Sequence, residues 1–345
     1  MWITSSLDTV LTPTAVALGN FDGLHQGHRR VIQPVLKRFS GTEAALLQPL
    51  RSSNVHLTTA PPVLSGNEFE AVGLAATLPY STVVTFHPHP QEFFTGQPKK
   101  LLTPLDEKVE LLKSMGVEQL VLLPFDRELA DLSPNQFMEQ ILVRSLQVRQ
   151  ISVGFDFHFG KDRLGKAEDL QAMALQIGIE VKITPLYSSA KGERVSSSVI
   201  RQALAAGQIQ QVRELLGRPY SMIGQVVQGQ QLGRTLGFPT ANLECPPEKF
   251  LPQYGVYAVR VFIKSDSFLL VDHPAVMNVG CRPTVAGEDP TVEVYLLDWS
   301  GDLYGQTLTV TLEQFIRPEQ RFGSLEALKN QIRDDCRAAR IALQV

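Results

Sequence analysis

Two histidines, His25 and His28, fall in residues 15–32, AVALGNFDGLHQGHRRVI. The stretch opens with an apolar run suited to a buried strand, turns on Gly19, Gly23 and Gly27, and becomes helix-compatible near His28. Strand, glycine turn and helix start together suit phosphate. The first N–H groups of a helix lack intrahelical partners, and the helix dipole favours anions there. Imidazoles at that rim donate hydrogen bonds to phosphate oxygens and, when protonated, add positive charge. The plainer alternative is a strand–turn–helix corner with solvated histidines.

A second group lies far downstream, in residues 231–242, QLGRTLGFPTAN. Gly233 and Gly237 let backbone approach a phosphate closely, and Arg234 supplies charge. Thr240 and Asn242, two apart on an extended segment, point the same way and offer oxygen ligands to a hard cation such as Mg²⁺. Glu293 stands in TVEVYLLD with Val292 and Val294 on the opposite face, either a general base or an ordinary solvent-facing strand acid.

Three further stretches carry polar chemistry. In residues 193–201, ERVSSSVIR, three serines at a helix start lie between Arg194 and Arg201. They offer hydroxyl, backbone and guanidinium donors to phosphate, or simply cap a helix. HPHP, residues 87–90, ends an apolar run. Its prolines fix an extended backbone and no cysteine or acidic cluster accompanies it, which favours a strand-end loop beside a site over a metal centre. Residues 160–167, GKDRLGKA, follow G-x-x-x-x-G-K but place Ala167 where a P-loop needs a hydroxyl for Mg²⁺, so a glycine-rich substrate loop is the better reading.

The elements that must hold these groups are readable from periodicity. A length of 345 residues implies two domains. In the first half, strand-like runs at 81–86, 117–125, 150–154 and 180–186 alternate with helix-compatible segments. Helix is expected over 28–39, strained at Pro34; over 103–115, with Thr103 as N-cap and Gly116 closing it; after Ser133; over 168–178; and over 200–206. Such alternation predicts a parallel sheet, with ligands at the carboxyl ends of its strands. Residues 40–80 show no sustained period and read as a surface excursion ending in a short helix.

After GRPY, residues 217–220, short β-rich runs at 222–227, 255–263, 268–271, 275–279, 291–298 and 308–315 predict a small barrel or sandwich. Ser324 then caps a helix whose apolar side is Leu325, Leu328, Ile332, Cys336 and Ala339. The expected partition is 1–186, a linking helical segment 187–217, and 218–345. A formal charge of −3 gives no pull toward nucleic acid or anionic membrane, and no apolar run is long enough to span one. Three scattered cysteines without C-x-x-C, and the absence of a basic and apolar leader, lead us to expect a reducing, cytoplasmic setting. The oligomeric state is left open.

GNFDGLHQGH resembles the G-x-F-D-x-x-H-x-G-H signature of HxGH nucleotidyltransferases. Taken in order with VTFHPHP, VGFDFHFG, RVSSSVIR, GRPYSMIGQVVQGQQLGRTLGFPTANL, GVYAVRV, MNVGCRPTV, VEVYLLD, DLYGQ and FIRPE, it resembles the prokaryotic bifunctional riboflavin kinase/FMN adenylyltransferase (FAD synthetase) family over nearly all of the chain. The resemblance implies an α/β, Rossmann-like nucleotidyltransferase domain followed by an all-β, six-stranded antiparallel kinase barrel with a terminal helix. It implies ATP, riboflavin and FMN as substrates, FAD as product, and Mg²⁺.

By the same resemblance His25 and His28 contact ATP phosphates beside Gly19, Phe21, Asp22 and Gly23. Asp156, Arg194, Ser197, Ser198 and Arg201 line the same nucleotide and FMN site. Thr240 and Asn242 ligate Mg²⁺ near Gly233, Arg234 and Gly237, Glu293 is the general base, and Arg317 sits near the flavin end. The chain departs from the family pattern at His87, usually an acid, at Ser198, usually Thr, and in the long segment 40–80.

Overall fold

The computed structural model describes residues 1–36, 78–189, 192–229, 233, 236–264, 269–284 and 287–345. Strands β1 (Trp2–Thr4), β2 (Thr14–Leu18), β3 (Tyr80–His87), β4 (Gln119–Pro124), β5 (Val148–Gly154) and, after a short antiparallel ribbon of β6 (His158–Phe159) and β7 (Gly165–Lys166), β8 (Glu180–Thr184) occupy the first half. The six strands other than β6 and β7 run parallel, through five pairings, in one sheet ordered β1-β4-β3-β2-β5-β8. The reason is visible in β2, TAVAL. Val16 and Leu18 enter one apolar cluster and Ala15 and Ala17 the other, so the strand is buried on both faces, as parallel strands require.

Helices α1 (Gln26–Ile32), α2 (Pro90–Thr95), α3 (Leu105–Ser114), α4 (Arg127–Asp131), α5 (Pro134–Gln136) and α6 (Ala167–Leu175) accompany this sheet. Ser133 and Gln136 form a reciprocal capping box, and residues Phe137–Ser145 continue with π-type hydrogen bonding. Two local expectations need correction. The helix expected over 28–39 begins at Gln26 and gives way to a 3₁₀ turn, Gln33–Val35, because Pro34 cannot donate the next helical bond. Thr103 does not cap α3; its hydroxyl accepts the Gly23 N–H at 2.9 Å, a tertiary partner that no local pattern reveals. The excursion expected over 40–80 lies outside the described residues up to position 77.

The second half closes on itself. Strands β9 (Tyr220–Val227), β10 (Ala241–Glu244), β11 (Gly255–Lys264), β12 (Leu269–Thr284), β13 (Gly287–Leu296) and β14 (Thr307–Pro318) form an antiparallel closed barrel ordered β10-β13-β12-β11-β14-β9. Of the runs expected separately at 268–271 and 275–279, residues 269–271 and 275–279 fall in the single strand β12, which bends where Asp272 takes φ of 60° and its pairing with β11 slips; residue 268 lies outside the described residues. The sixth strand is β10, a four-residue element whose composition, ANLE, carries little β signal.

Helices α7 (Ser197–Ala205) and α8 (Ile209–Leu216) join the barrel's apolar core through Ile200, Leu204, Val212 and Leu216. The C-terminal helix (Leu325–Leu343) packs on the barrel through Ala339 and Leu343, with Cys336 partly buried; Leu325, expected on that face, is exposed. Within this contact Arg317 of β14 donates to both carboxylate oxygens of Asp335, at 2.8 and 2.7 Å. Replacing Asp335 by Ala leaves a largely buried guanidinium without its acid. We expect a loss of about 2–3 kcal/mol, read as a lower denaturation midpoint in urea; an unchanged midpoint would show the pair to be energetically neutral.

Candidate functional site

The turn after β2 is bent by three residues of positive φ, Phe21 at 47°, Gly23 at 91° and Leu24 at 43°. It is fixed from all sides. The Asp22 carboxylate, 4% exposed, accepts the Thr103 N–H at 3.1 Å on one oxygen and is paired with Arg201 on the other. The Asp22 carbonyl accepts the Ser197 hydroxyl at 2.7 Å, and the Asn20 carbonyl accepts Lys108 Nζ at 2.9 Å and the Thr85 hydroxyl at 3.1 Å.

His25 is the N-cap of α1. Its Nδ1 accepts the His28 N–H at 3.3 Å, so the ring proton resides on Nε2. The two imidazoles stack with centroids 3.6 Å apart, and Phe21 meets His28 edge-on. Burial pulls the pKa of His25 down to about 4 against the opposing charges of Asp22 and Asp156. Burial, with His25 and Lys108 adding to it, holds His28 well below the ordinary value. Both rings are therefore neutral near pH 7. At that pH they add no positive charge, and what they can offer is an N–H donor. His28 Nδ1 is buried with no partner within the protein.

These rings open onto a cleft of about 1590 Å³ at the carboxyl ends of the parallel strands. Gly19, Phe21, Asp22, His25 and His28 form one wall, Asp156, Arg194, Ser197, Ser198 and Arg201 another, and the loop 160–163 a third. Gly23 is not on the wall; it faces Leu102. The three serines divide their tasks. Ser196 caps α7 by accepting the Val199 N–H, Ser197 is bound to the turn, and Ser198 is exposed on the cleft. Arg194 and Asp156 form an exposed pair at 2.9 Å.

Of the HPHP loop, His89 reaches the cleft and His87 does not. His89 lies 3.0 Å from Lys99 Nζ, and burial together with Lys99 lowers its pKa to about 4. Lys99, and Lys108 beside the motif turn, belong to no motif. For Lys108 the available signal is its alignment with Leu105 and Leu112 on the inner side of α3, where burial lowers its pKa to about 8.

The downstream group assembles on the barrel. Asn242 of β10 pairs in register with Glu293 of β13, and Glu293 with Asn278 of β12. Val292 and Val294 are in the core, so these polar residues share the outer face. Gly229 passes so close that a Cβ there would overlap the Asn242 amide, and a Cβ at Gly233 would lie 3.2 Å from Thr240 Oγ1. A glycine backbone thus frames two neutral oxygen donors, a cradle whose donor chemistry fits a hard cation. Gly237 has φ of 88° with open space around it, and Arg234 lies outside the described residues. Arg317, engaged with Asp335, also stands over Phe322 with 5.6 Å to the ring. Among the described residues no group of three or more His, Cys, Asp or Glu could hold a metal.

Two family models match the chain, one in each half. Residues 8–47 and 70–199 match the family model described as FAD synthetase, and residues 216–343 match riboflavin kinase. A bifunctional riboflavin kinase/FMN adenylyltransferase from Pseudomonas fluorescens is 39% identical over 94% of this chain and 91% of its own length. Its namesake from Escherichia coli K12 is 38% identical over 94% and 91%, and that from Bacillus subtilis 33% identical over 93% and 90%. A crystal structure described as a macrolide-efflux protein from Streptococcus pneumoniae superposes with a TM-score of 0.74 over 98% of both chains at 29% identity. Among the described residues no helix is long and apolar enough to cross a membrane.

The histidine shifts carry a pH signature. Between pH 6.5 and about 4 the unfolded chain binds protons that folded His25 refuses, so stability rises with pH through that window and is lost as pH falls. For His25 the complete effect corresponds to about 3 kcal/mol. Thermal midpoints of His25→Gln should fall less steeply over this range than those of the parent; parallel curves would refute the assignment.

Proposed function

The chain belongs to the bifunctional riboflavin kinase/FMN adenylyltransferase family, and on that premise we propose which residues carry each of its two reactions. It phosphorylates riboflavin with ATP to give FMN, then transfers AMP from a second ATP to FMN, giving FAD and pyrophosphate. We assign adenylyl transfer to residues 1–186 together with Arg194, Ser197, Ser198 and Arg201 of the linking segment 187–217, and phosphorylation to 218–345.

In adenylyl transfer the attacking FMN phosphate is already an anion and needs no general base. The site must align it with the α-phosphorus and stabilise charge as pyrophosphate leaves. His25 and His28 do so as neutral N–H donors, with Ser198, Arg194 and the start of α7 on the facing wall. The single observation that carries this reading is the buried, stacked histidine pair with an unpartnered nitrogen at the strand ends. Gly19, Phe21, Asp22, Gly23, Ser197 and Arg201 shape the turn that aims the rings, and Asp156 orients Arg194.

In the kinase half, Glu293 accepts the proton of the ribityl 5′-hydroxyl as it attacks the γ-phosphorus of ATP. Its in-register neighbours Asn242 and Asn278 support that role by offering polar contacts on the same face. Thr240 and Asn242 would hold Mg²⁺, which when bound neutralises phosphate charge. Gly233, Arg234 and Gly237 approach the phosphates, and Arg317, steadied by Asp335, borders the flavin end. We further propose that the enzyme works in the cytoplasm on these small molecules without a nucleic-acid partner, a reading supported by three cysteines far apart in the chain with no C-x-x-C and by a net charge of −3.

Purified protein given riboflavin, ATP and Mg²⁺ should yield FMN and then FAD by chromatography. His28→Ala should abolish FAD formation from supplied FMN while sparing FMN formation; equal loss of both would argue against separate sites. Glu293→Gln should slow FMN formation by roughly 10²–10⁴-fold and leave adenylylation of supplied FMN intact. An unimpaired kinase rate would refute Glu293 as the base.

A further inference from the structure

Lys249 belongs to the barrel half, yet it is only 2% exposed and all three of its ammonium donors are used at the boundary between the halves. It donates to Glu107 Oε2 of α3 at 2.6 Å, to the Leu102 carbonyl at 2.9 Å and to the Ser221 carbonyl of β9 at 2.7 Å. The other Glu107 oxygen accepts the Ile223 N–H of β9 at 3.2 Å. A short parallel bridge reinforces the contact: Leu101 N–H donates to the Glu248 carbonyl at 2.6 Å and Phe250 N–H to the Leu101 carbonyl at 2.8 Å. Residues 101 and 102 are thus pinned to the barrel by backbone and charge together.

The next residue is Thr103, whose hydroxyl accepts the Gly23 N–H and whose N–H reaches Asp22. Arg218, in the segment entering the barrel, donates to the Gly23 carbonyl at 3.0 Å. Both backbone groups of Gly23 are therefore held by segments anchored at or leading into the barrel, and His25 follows two residues later. The turn needs such holding. Two of its non-glycine residues adopt positive φ, a conformation that costs of order 1–3 kcal/mol each and persists only where surroundings over-determine it.

We propose that Lys249, on the kinase half, is a positioning residue for adenylyl transfer in the other half, acting through the Leu102–Thr103 segment on the turn that carries His25 and His28. The inference rests on the assignment of adenylyl transfer to that cleft. It makes the barrel a structural part of the first half's active site as well as the seat of its own reaction. Loosening the relay displaces the rings without removing any group that touches ATP or FMN, and small misplacements of reacting groups lower turnover more than binding.

The test uses the full-length enzyme with both reactions assayed separately. Lys249→Met should lower kcat for FAD formation from supplied FMN by at least about tenfold, with KM for ATP and FMN and the riboflavin kinase rate within about twofold. Because that change leaves Glu107 buried without its partner, Thr103→Val serves as the second variant: it keeps the ion pair and removes only the hydroxyl that receives Gly23. It should show the same selective loss of kcat. Should Lys249→Met fail to fold, the Thr103→Val result decides. Unchanged FAD formation in a folded variant, a parallel fall in both reactions, or a rise in KM alone would each overturn the proposal. Failure of the parent enzyme to make FAD from FMN would instead strike the underlying assignment.

Discussion

One buried carboxylate organises the first half of the molecule. Asp22 is enclosed within the motif turn, and an ionised acid there is costly unless its oxygens are satisfied. Arg201 supplies the countercharge and the Thr103 amide the remaining hydrogen bond. Those partners come from two places far apart in the chain, the lead-in to α3 and the second turn of α7. One charge therefore draws together the turn, the helix start opposite it and the segment that meets the barrel. Remove it and the cleft loses the charged contact between its two principal walls, while the Ser197 hydroxyl still binds the turn's backbone.

Around that fixed point the two proposed reaction centres use different physics. The cleft at the strand ends offers neutral imidazole donors beside guanidinium groups, suited to substrates that arrive already ionised. The barrel face offers an acid flanked by amides and framed by glycine backbone, suited to a hydroxyl that must lose a proton. The same contrast appears in the supporting folds. An open parallel sheet leaves its strand ends free to be lined by long loops, whereas a closed antiparallel barrel presents side chains from neighbouring strands in strict register, as with Asn242, Glu293 and Asn278.

Much of this was legible in the amino-acid order. Alternating apolar runs and helix-compatible segments point to the parallel sheet, and the cleft lies where such sheets gather ligands, at the carboxyl ends of the strands. Val292 and Val294 correctly set Glu293 on the outer face. What escaped reading has a common cause in long-range partnership. Thr103 has a good N-cap's credentials but is taken by Gly23, 80 residues away, and Lys249 finds Glu107 across 142 residues. The neutrality of His25 and His28 is likewise set by enclosure, which residue type and spacing do not encode. Strand β10 stands outside the β-rich runs for a different reason, although Asn242 reads as extended: its four residues have little intrinsic preference and pair because the barrel closes around them.

The serine run at the start of α7 has an implication for how this chain can change over time. Its three consecutive identical residues are held by unlike constraints. At Ser196 any short side chain with an acceptor oxygen can serve, since the requirement is only to receive the Val199 N–H. At Ser197 the hydroxyl must be a donor, because its partner is a carbonyl, which bars the carboxylate that the preceding position would accept. At Ser198 the side chain is exposed on the cleft, and threonine there would keep the hydroxyl. A run that looks redundant on paper is therefore held by three different constraints, and only its last position is open to solvent.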